Sequence, residues 1–194
     1  MIIKKEIRII GFDDGPFVKG SKGKVPVIGS IFRGGLFLDG LIRLDIDIDG
    51  TDATEKIINA LEKTRHEDIR IVMLDGITFG GFNIVNIEKL YKETKLPVIV
   101  ITRKKTDMKK FKQAMKKLEN FEEREKCIKN AGDFYEFKSK RRGKSIYFQK
   151  IGLSEENVRE IINISSTRSL IPEPVRVSHI IASGIVKGES IGRP

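Results

Sequence analysis

Two apolar stretches of this sequence end abruptly in acids. Ile7 to Phe12 runs into Asp13-Asp14-Gly15-Pro16, and Ile69 to Leu74 runs into Asp75-Gly76. Turn formers stop a β-branched run in both places, so a carboxylate stands at each strand end. A third run has Leu44, Ile46 and Ile48 alternating with Asp45, Asp47 and Asp49, with Asp52 three residues on. That alternation puts the apolar set on one face of a strand and the carboxylates on the other. If the first strand lies between its antiparallel neighbours and the later parallel ones, Asp13, Asp49, Asp52 and Asp75 meet at one sheet edge. Carboxylates packed together repel, and a hard divalent cation with oxygen ligands, Mg²⁺ or Mn²⁺, relieves the repulsion. Two such ions can activate a water and stabilise the leaving oxygen of a phosphodiester.

Each acid also has a plainer reading. Asp before Gly is a turn residue, so Asp49-Gly50 reads as a turn, and Thr51 or Asp52 as a helix cap. Asp13 and Asp75 are more telling, because each follows an apolar strand directly. His179 lies on a helix entered through Pro172 and Pro174, whereas His66 sits in a charged loop. The glycines of Gly76-Ile77-Thr78-Phe79-Gly80-Gly81 fit neither a P-loop nor a dinucleotide fingerprint, and read as a strand-to-helix turn or a flexible loop beside the carboxylates.

The elements that must position these residues follow from periodicity. Ile7 to Phe12, Val25 to Phe32 and Leu36 to Ile48 predict a three-strand antiparallel meander. Ala53 to Lys63 predicts a helix with Ile57, Ile58 and Leu61 as its stripe, followed by a strand at Ile69 to Leu74 buried on both faces. A helix over about Ile84 to Thr94 and a strand at Pro97 to Ile101 complete a strand-helix-strand alternation, which implies parallel pairing by right-handed crossovers. Met108, Phe111, Met115 and Leu118 recur at helical spacing with a charged outer face, so an amphipathic helix with a core-facing stripe follows. Phe134 to Phe137 and Ser145 to Ile151 predict a hairpin with a basic tip that carries Lys140, Arg141 and Arg142. Ser154 caps a further helix, and the last helix is expected from Val175 to Ser183, ended by Gly184.

Length and charge set the frame. A chain of 194 residues with 39% apolar content supports one core, so residues 1–194 are read as a single domain. A net charge of +10 points to an acidic partner, and nucleic acid is the leading one, although abundant surface Lys and Glu alone would give a similar composition. The single Cys127 excludes an internal disulfide and a Cys-based zinc site. No apolar run reaches membrane-spanning length, and Met1 to Ile10 is too charged and short for a signal peptide, so a cytoplasmic location is expected.

These stretches resemble the endonuclease V superfamily, and more closely its archaeal branch, the endonuclease dU family. Gly11-Phe12-Asp13 resembles the first-strand Gly-x-Asp of endonuclease V, and Leu74-Asp75-Gly76 its later strand ending in Asp-Gly. Thr51-Asp52-Ala53 stands where that family carries a Glu. Pro172-Glu173-Pro174-Val175-Arg176-Val177-Ser178-His179 is similar to the Pro-rich turn and helix that carry its site histidine. Pro97 to Arg103 resembles the strand that ends in its catalytic Lys, here Arg103 or Lys104; an arginine can hold phosphate but does not donate a proton. Three departures stand out: Asp52 is shorter than Glu, the Pro-Tyr-Ile-Pro wedge has no counterpart in Val25-Pro26-Val27-Ile28-Gly29, and Gly76 to Gly81 replaces a His-containing loop.

The resemblance implies an α/β, ribonuclease H-like mixed sheet, the antiparallel meander followed by parallel strands, flanked by helices. It also implies a Mg²⁺-dependent (or Mn²⁺-dependent) endonuclease acting on DNA or RNA, single-stranded or damaged forms included, at deoxyuridine or deoxyinosine. Asp13, Asp52 and Asp75 are the expected metal ligands, with Asp14 or Asp49 as substitutes. His179 would support metal or water, and Arg103, Lys104, Lys140, Arg141 and Arg142 would hold phosphate. Two rival readings are a non-catalytic nucleic-acid-binding protein that keeps the fold and a small-molecule phosphohydrolase using the same metals.

Overall fold

The structure is a computed structural model that describes residues 3–139 and 143–190. Arg8–Asp14 (β1), Lys24–Arg33 (β2) and Phe37–Asp47 (β3) form the expected antiparallel meander. Ala53–Lys63 (α1) crosses to Ile71–Asp75 (β4), which pairs parallel with β1. Thr78–Phe79 (β5) and Asn83–Ile84 (β6) make a small separate hairpin; Ile87–Thr94 (α2) then leads to Val98–Thr102 (β7), parallel to β4. Met108–Met115 (α3) and Phe121–Asn130 (α4) precede the hairpin of Tyr135–Lys138 (β8) and Ser145–Ile151 (β9), and β9 runs antiparallel to β7. Glu155–Ser165 (α5) and Glu173–Lys187 (α6) close the fold. The seven-stranded sheet has the order β3-β2-β1-β4-β7-β9-β8.

Strand parity divides the core into two layers, because successive side chains of a strand face opposite ways. Ile10, Phe12, Val72, Leu74, Val98 and Val100 pack under α1 and α2. Ile9, Ile71, Met73, Ile99 and Ile101 pack on the other face, under α5 and the start of α6. All of these are fully buried, which is why β4 and β7 read as unbroken apolar runs.

Three expectations need correction. The second helix starts at Ile87, because Gly80 and Gly81, both at positive φ, fold residues 78–84 into a hairpin and Asn86 then caps α2 by accepting from Lys89 N. The amphipathic stretch is two helices, since Asn120 at φ 57 breaks it and leaves Leu118 between them. The last helix runs through Gly184 to Lys187 and ends at Gly188 in the left-handed region. Lys140, Arg141 and Arg142 lie outside the described residues.

One close approach docks the last helix on the sheet. A Cβ on Gly11 would lie 2.6 Å from the Pro174 carbonyl oxygen, and nearer still to that residue's carbonyl carbon. Only glycine therefore lets the start of α6 settle on the middle of β1. Ser178 locks the contact: its hydroxyl donates to the Gly11 carbonyl (2.6 Å) and accepts from Ser30 N (3.0 Å), while the Ser30 hydroxyl donates to the Pro174 carbonyl (2.6 Å). Gly11→Ala is expected to lower unfolding free energy by about 1–3 kcal/mol, the usual cost of overpacking a tight contact. Urea titration of both proteins tests this, and an unchanged midpoint would show that α6 is free to move off β1.

Candidate metal centre and active site

Asp13 and Asp75 come together by register. Phe12 pairs with Leu74 across the parallel β1–β4 ladder, so the residues that follow them are neighbours at the strand ends. Parity sends both toward α6: Asp13 follows Ile9 and Gly11, and Asp75 follows Ile71 and Met73, on that face. The residue after Ser178 is His179, whose Nδ1 lies 2.7 Å from Asp13 Oδ2. Ligand atoms of Asp13, Asp75 and His179 all lie within 4.8 Å of one another. Arg103, just past β7, reaches Asp75 Oδ2 at 3.7 Å and is 43% exposed, so its guanidinium also faces solvent. Lys104 beside it is exposed.

The electrostatics of the group are unfavourable as it stands. Asp13 is 5% exposed. Burial pushes its carboxyl up from 3.8 to about 7 against the lowering effect of the His179 hydrogen bond, and Asp75 and Asp14 push it further. Burial likewise raises Asp75, opposed by Arg103 and His179. The hydrogen bond to Asp13 lifts His179 above its ordinary value although burial works against it. The arrangement therefore retains protons near neutral pH, where isolated carboxyls have lost theirs. A divalent cation would replace those protons.

The other predicted acids serve the backbone. Asp14, of opposite parity to Asp13, accepts from Gly80 N (2.9 Å), and burial raises it to about 6. Asp49 stands at φ 54 in the turn after β3 and accepts from Phe82 N (2.8 Å). Asp52 accepts from Asn83 Nδ2 (2.6 Å) and from Asp47 N (3.1 Å). Neither Asp49 nor Asp52 belongs to the 4.8 Å group that the structure brings together, and donors of the chain itself engage one oxygen of each. Asp52 sits at the N-cap of α1 but makes no side-chain cap bond.

Sequence reasoning missed three supporting residues. Asn83 is fully buried and staples the β3–α1 turn, donating to the Asp47 carbonyl (2.9 Å) and accepting from Ala53 N (3.0 Å). Arg124, also buried, donates to the carbonyls of Asp49 (2.7 Å), Gly50 (3.0 Å), Glu119 (3.0 Å) and Phe82. Neither left a signal in the sequence. Ser30 did: a lone hydroxyl within an apolar strand needs a partner. Past the ends of β4 and β7 opens a cavity of about 420 Å³, lined among others by Gly76, Thr102, Lys105, Met108, Phe111 and Phe134; of the β4 end it takes Gly76, the residue after Asp75.

Residues 5–186 match the family model described as Endonuclease dU. A UPF0215 protein of Methanosarcina mazei is 48% identical over 192 residues, covering 98% of this chain and 96% of its own length. The chain belongs to the endonuclease dU family. A crystal structure of a protein of unknown function from Archaeoglobus fulgidus is similar to this endonuclease dU family member, with a TM-score of 0.83 and 41% identity over 93% of this chain and 99% of that one. Endonuclease V of Ciona intestinalis, solved in complex with DNA containing an inosine followed by a ribo-adenosine, has a TM-score of 0.59 and 13% identity over 93% of this chain and 86% of its own. The fold is thus the endonuclease V and ribonuclease H-like mixed α/β fold. Family and fold together support a nuclease.

The raised carboxyls give stability a definite pH sign. The folded state keeps a proton on Asp13 up to about 7 that the unfolded chain has released above 3.8, so this contribution is lost as pH rises through that window. Asp14 and His179, also raised, act in the same sense. In chelator, wild type should melt lower at about pH 8 than at about pH 5, and Asp13→Asn should flatten that fall and melt above wild type at the higher pH. Parallel melting profiles for the two proteins would contradict a proton held by Asp13.

Proposed function

We propose that this protein is a divalent-metal-dependent endonuclease that cuts nucleic acid at deaminated bases, deoxyuridine or deoxyinosine. The observation that carries the reading is the grouping of Asp13, Asp75 and His179 at the ends of two parallel strands. Two buried carboxyls and an imidazole are a donor set suited to Mg²⁺ or Mn²⁺. These three residues would hold the metal, which supplies Lewis-acid stabilisation of charge on the phosphodiester oxygens.

The chain's own groups have separate tasks. Asp13 fixes the imidazole of His179 through Nδ1 and shares a proton with it, so the ring is oriented before substrate arrives. Arg103 carries a fixed charge at the mouth and can hold a phosphate oxygen; as an arginine it stays protonated and does not act as an acid. Lys104 adds a second cation there, and Lys140, Arg141 and Arg142 are assigned the same phosphate-holding role on sequence grounds. The cavity that opens at Gly76, the residue after Asp75, is the place assigned to the altered base. The Thr102 hydroxyl at its wall is buried and, among the described residues, without a hydrogen-bond partner, an unmet need that a base edge can satisfy.

Oligonucleotides carrying one deoxyuridine or deoxyinosine, incubated with protein and Mg²⁺ or Mn²⁺, test this reading. Cleavage near the altered base is expected, with Asp75→Ala lowering kcat by on the order of 10³, the equivalent of several kcal/mol of charge stabilisation. Asp52→Ala should instead leave kcat within about tenfold and lower stability by about 1–3 kcal/mol, because it removes the acceptor of one Asn83 amide N–H and of Asp47 N. Cleavage that survives Asp75→Ala, or is abolished by Asp52→Ala in a protein that still folds, would move the centre elsewhere. Absence of both cleavage and Mn²⁺ binding would favour the non-catalytic binding protein.

A further inference from the structure

Positive charge is concentrated in one stretch of this chain. Residues 103–117 hold eight lysines and arginines against a single acid, Asp107, a net +7 where the whole protein has +10. Asp107 is occupied at the start of α3, accepting from Lys109 N (3.1 Å) and Lys110 N (3.2 Å). Lys112 is drawn to Glu125 at 2.8 Å. The neighbouring α4 is balanced, with Glu122, Glu123 and Glu125 against Arg124, Lys126 and Lys129.

The rotation of α3 is fixed by packing. Met108, Phe111 and Met115 enter a small apolar cluster with Phe82, Ile84 and Ile128. Lys109, Lys110, Lys116 and Lys117 are consequently turned to solvent, and all four are exposed. Lys110 lies 3.9 Å from Asp107, the single acid of the stretch. A row of like charges so short of counter-charges raises its own electrostatic energy, and a polyanion of matching spacing lowers it. From Lys109 to Lys116 the helix rises about 10 Å, close to three nucleotides at about 3.4 Å each along one strand. The row starts at the metal centre, since Arg103 touches Asp75, and α3 shares the cavity wall with Gly76.

We propose that residues 103–117 form a phosphate-binding ridge, along which one strand of nucleic acid runs from the Asp13–Asp75–His179 centre on a single side of the scissile bond. The ridge rests on the nucleic-acid reading above and adds where, and on which side, the strand is held. Its contacts are to the backbone, so they set affinity and footprint without selecting bases.

Binding of an undamaged single-stranded oligonucleotide, measured without divalent metal at several salt concentrations, tests the ridge apart from cleavage. The variant carries Lys109→Gln, Lys116→Gln and Lys117→Gln. A control of equal charge carries Lys63→Gln, Lys92→Gln and Lys95→Gln, exposed positions at the ends of α1 and α2 on the opposite sheet edge. The ridge variant should lose about 0.7 of salt slope per contact, about 2 in all, equally for different sequences, while the control keeps the wild-type slope. Shortening a cleavable substrate on one side of the altered base should raise KM, and shortening it on the other should not. Equal slopes for wild type and ridge variant, or an equal loss in the control, overturn the ridge while leaving the proposed nuclease intact. Failure of wild type to bind any oligonucleotide would instead overturn the nucleic-acid reading and the ridge with it.

Discussion

Two carboxylates buried side by side at the ends of neighbouring parallel strands set the terms for this edge of the molecule. Register makes Asp13 and Asp75 neighbours, and parity turns both toward α6. A buried, uncompensated charge is expensive enough that a carboxyl prefers to keep its proton, as Asp13 does. The surroundings supply partial relief in the form of His179 from above and Arg103 from the side. Neither is a full counter-ion: the histidine is charged only when protonated, and the arginine stands 3.7 Å off and faces solvent. What is left uncompensated is a local need for a cation.

Placing His179 is the work of the helix–strand contact at Gly11. The missing Cβ, the paired hydroxyls of Ser30 and Ser178, and the entry through Pro172 fix both the height and the rotation of α6. With Ser178 locked on the Gly11 carbonyl, the next residue can only project over the end of β1. On the sheet's other face, Asp14 and Asp49 hold the residues 80–82 backbone, and Asn83 and Arg124 hold the turn after β3. The acids thus split by side. Those facing α6 meet one another, and those facing the glycine loop meet backbone N–H groups and are satisfied there.

This division explains what the sequence could and could not convey. Strands ending in Asp13 and Asp75, the meander and the parallel crossovers all follow from periodicity, and so does the helix that bears His179. Asp49 and Asp52 looked equivalent to the others because the pattern of acids near strand ends says nothing about which N–H groups come near them. That depends on the β5–β6 hairpin, which is too short for periodicity to reveal and rests on Gly80 and Gly81 at positive φ. Arg124 was hidden for the same reason, since three of its four carbonyl partners, Asp49, Gly50 and Phe82, lie at least 42 residues away in sequence. The break at Asn120 was invisible because the apolar spacing continues through Leu118 in the same phase. The plain reading of Asp49-Gly50 as a turn was the one that described its geometry.

The same edge carries opposite charge at two depths. The floor holds carboxyls that repel a phosphate, and the rim, from Arg103 along α3, holds cations that attract one. A polyanion approaching this surface is drawn to the rim whether or not the floor is neutralised, because exposed charges act over roughly a Debye length of about 8 Å at physiological salt. Its entry to the floor depends on the carboxyls keeping their protons or exchanging them for a cation. Attraction and entry are thus governed by different groups and respond to different variables, the first to ionic strength and the second to pH and divalent metal. A surface built this way can hold many sequences loosely at its rim and still admit a phosphate to its floor only when the floor's charge has been balanced.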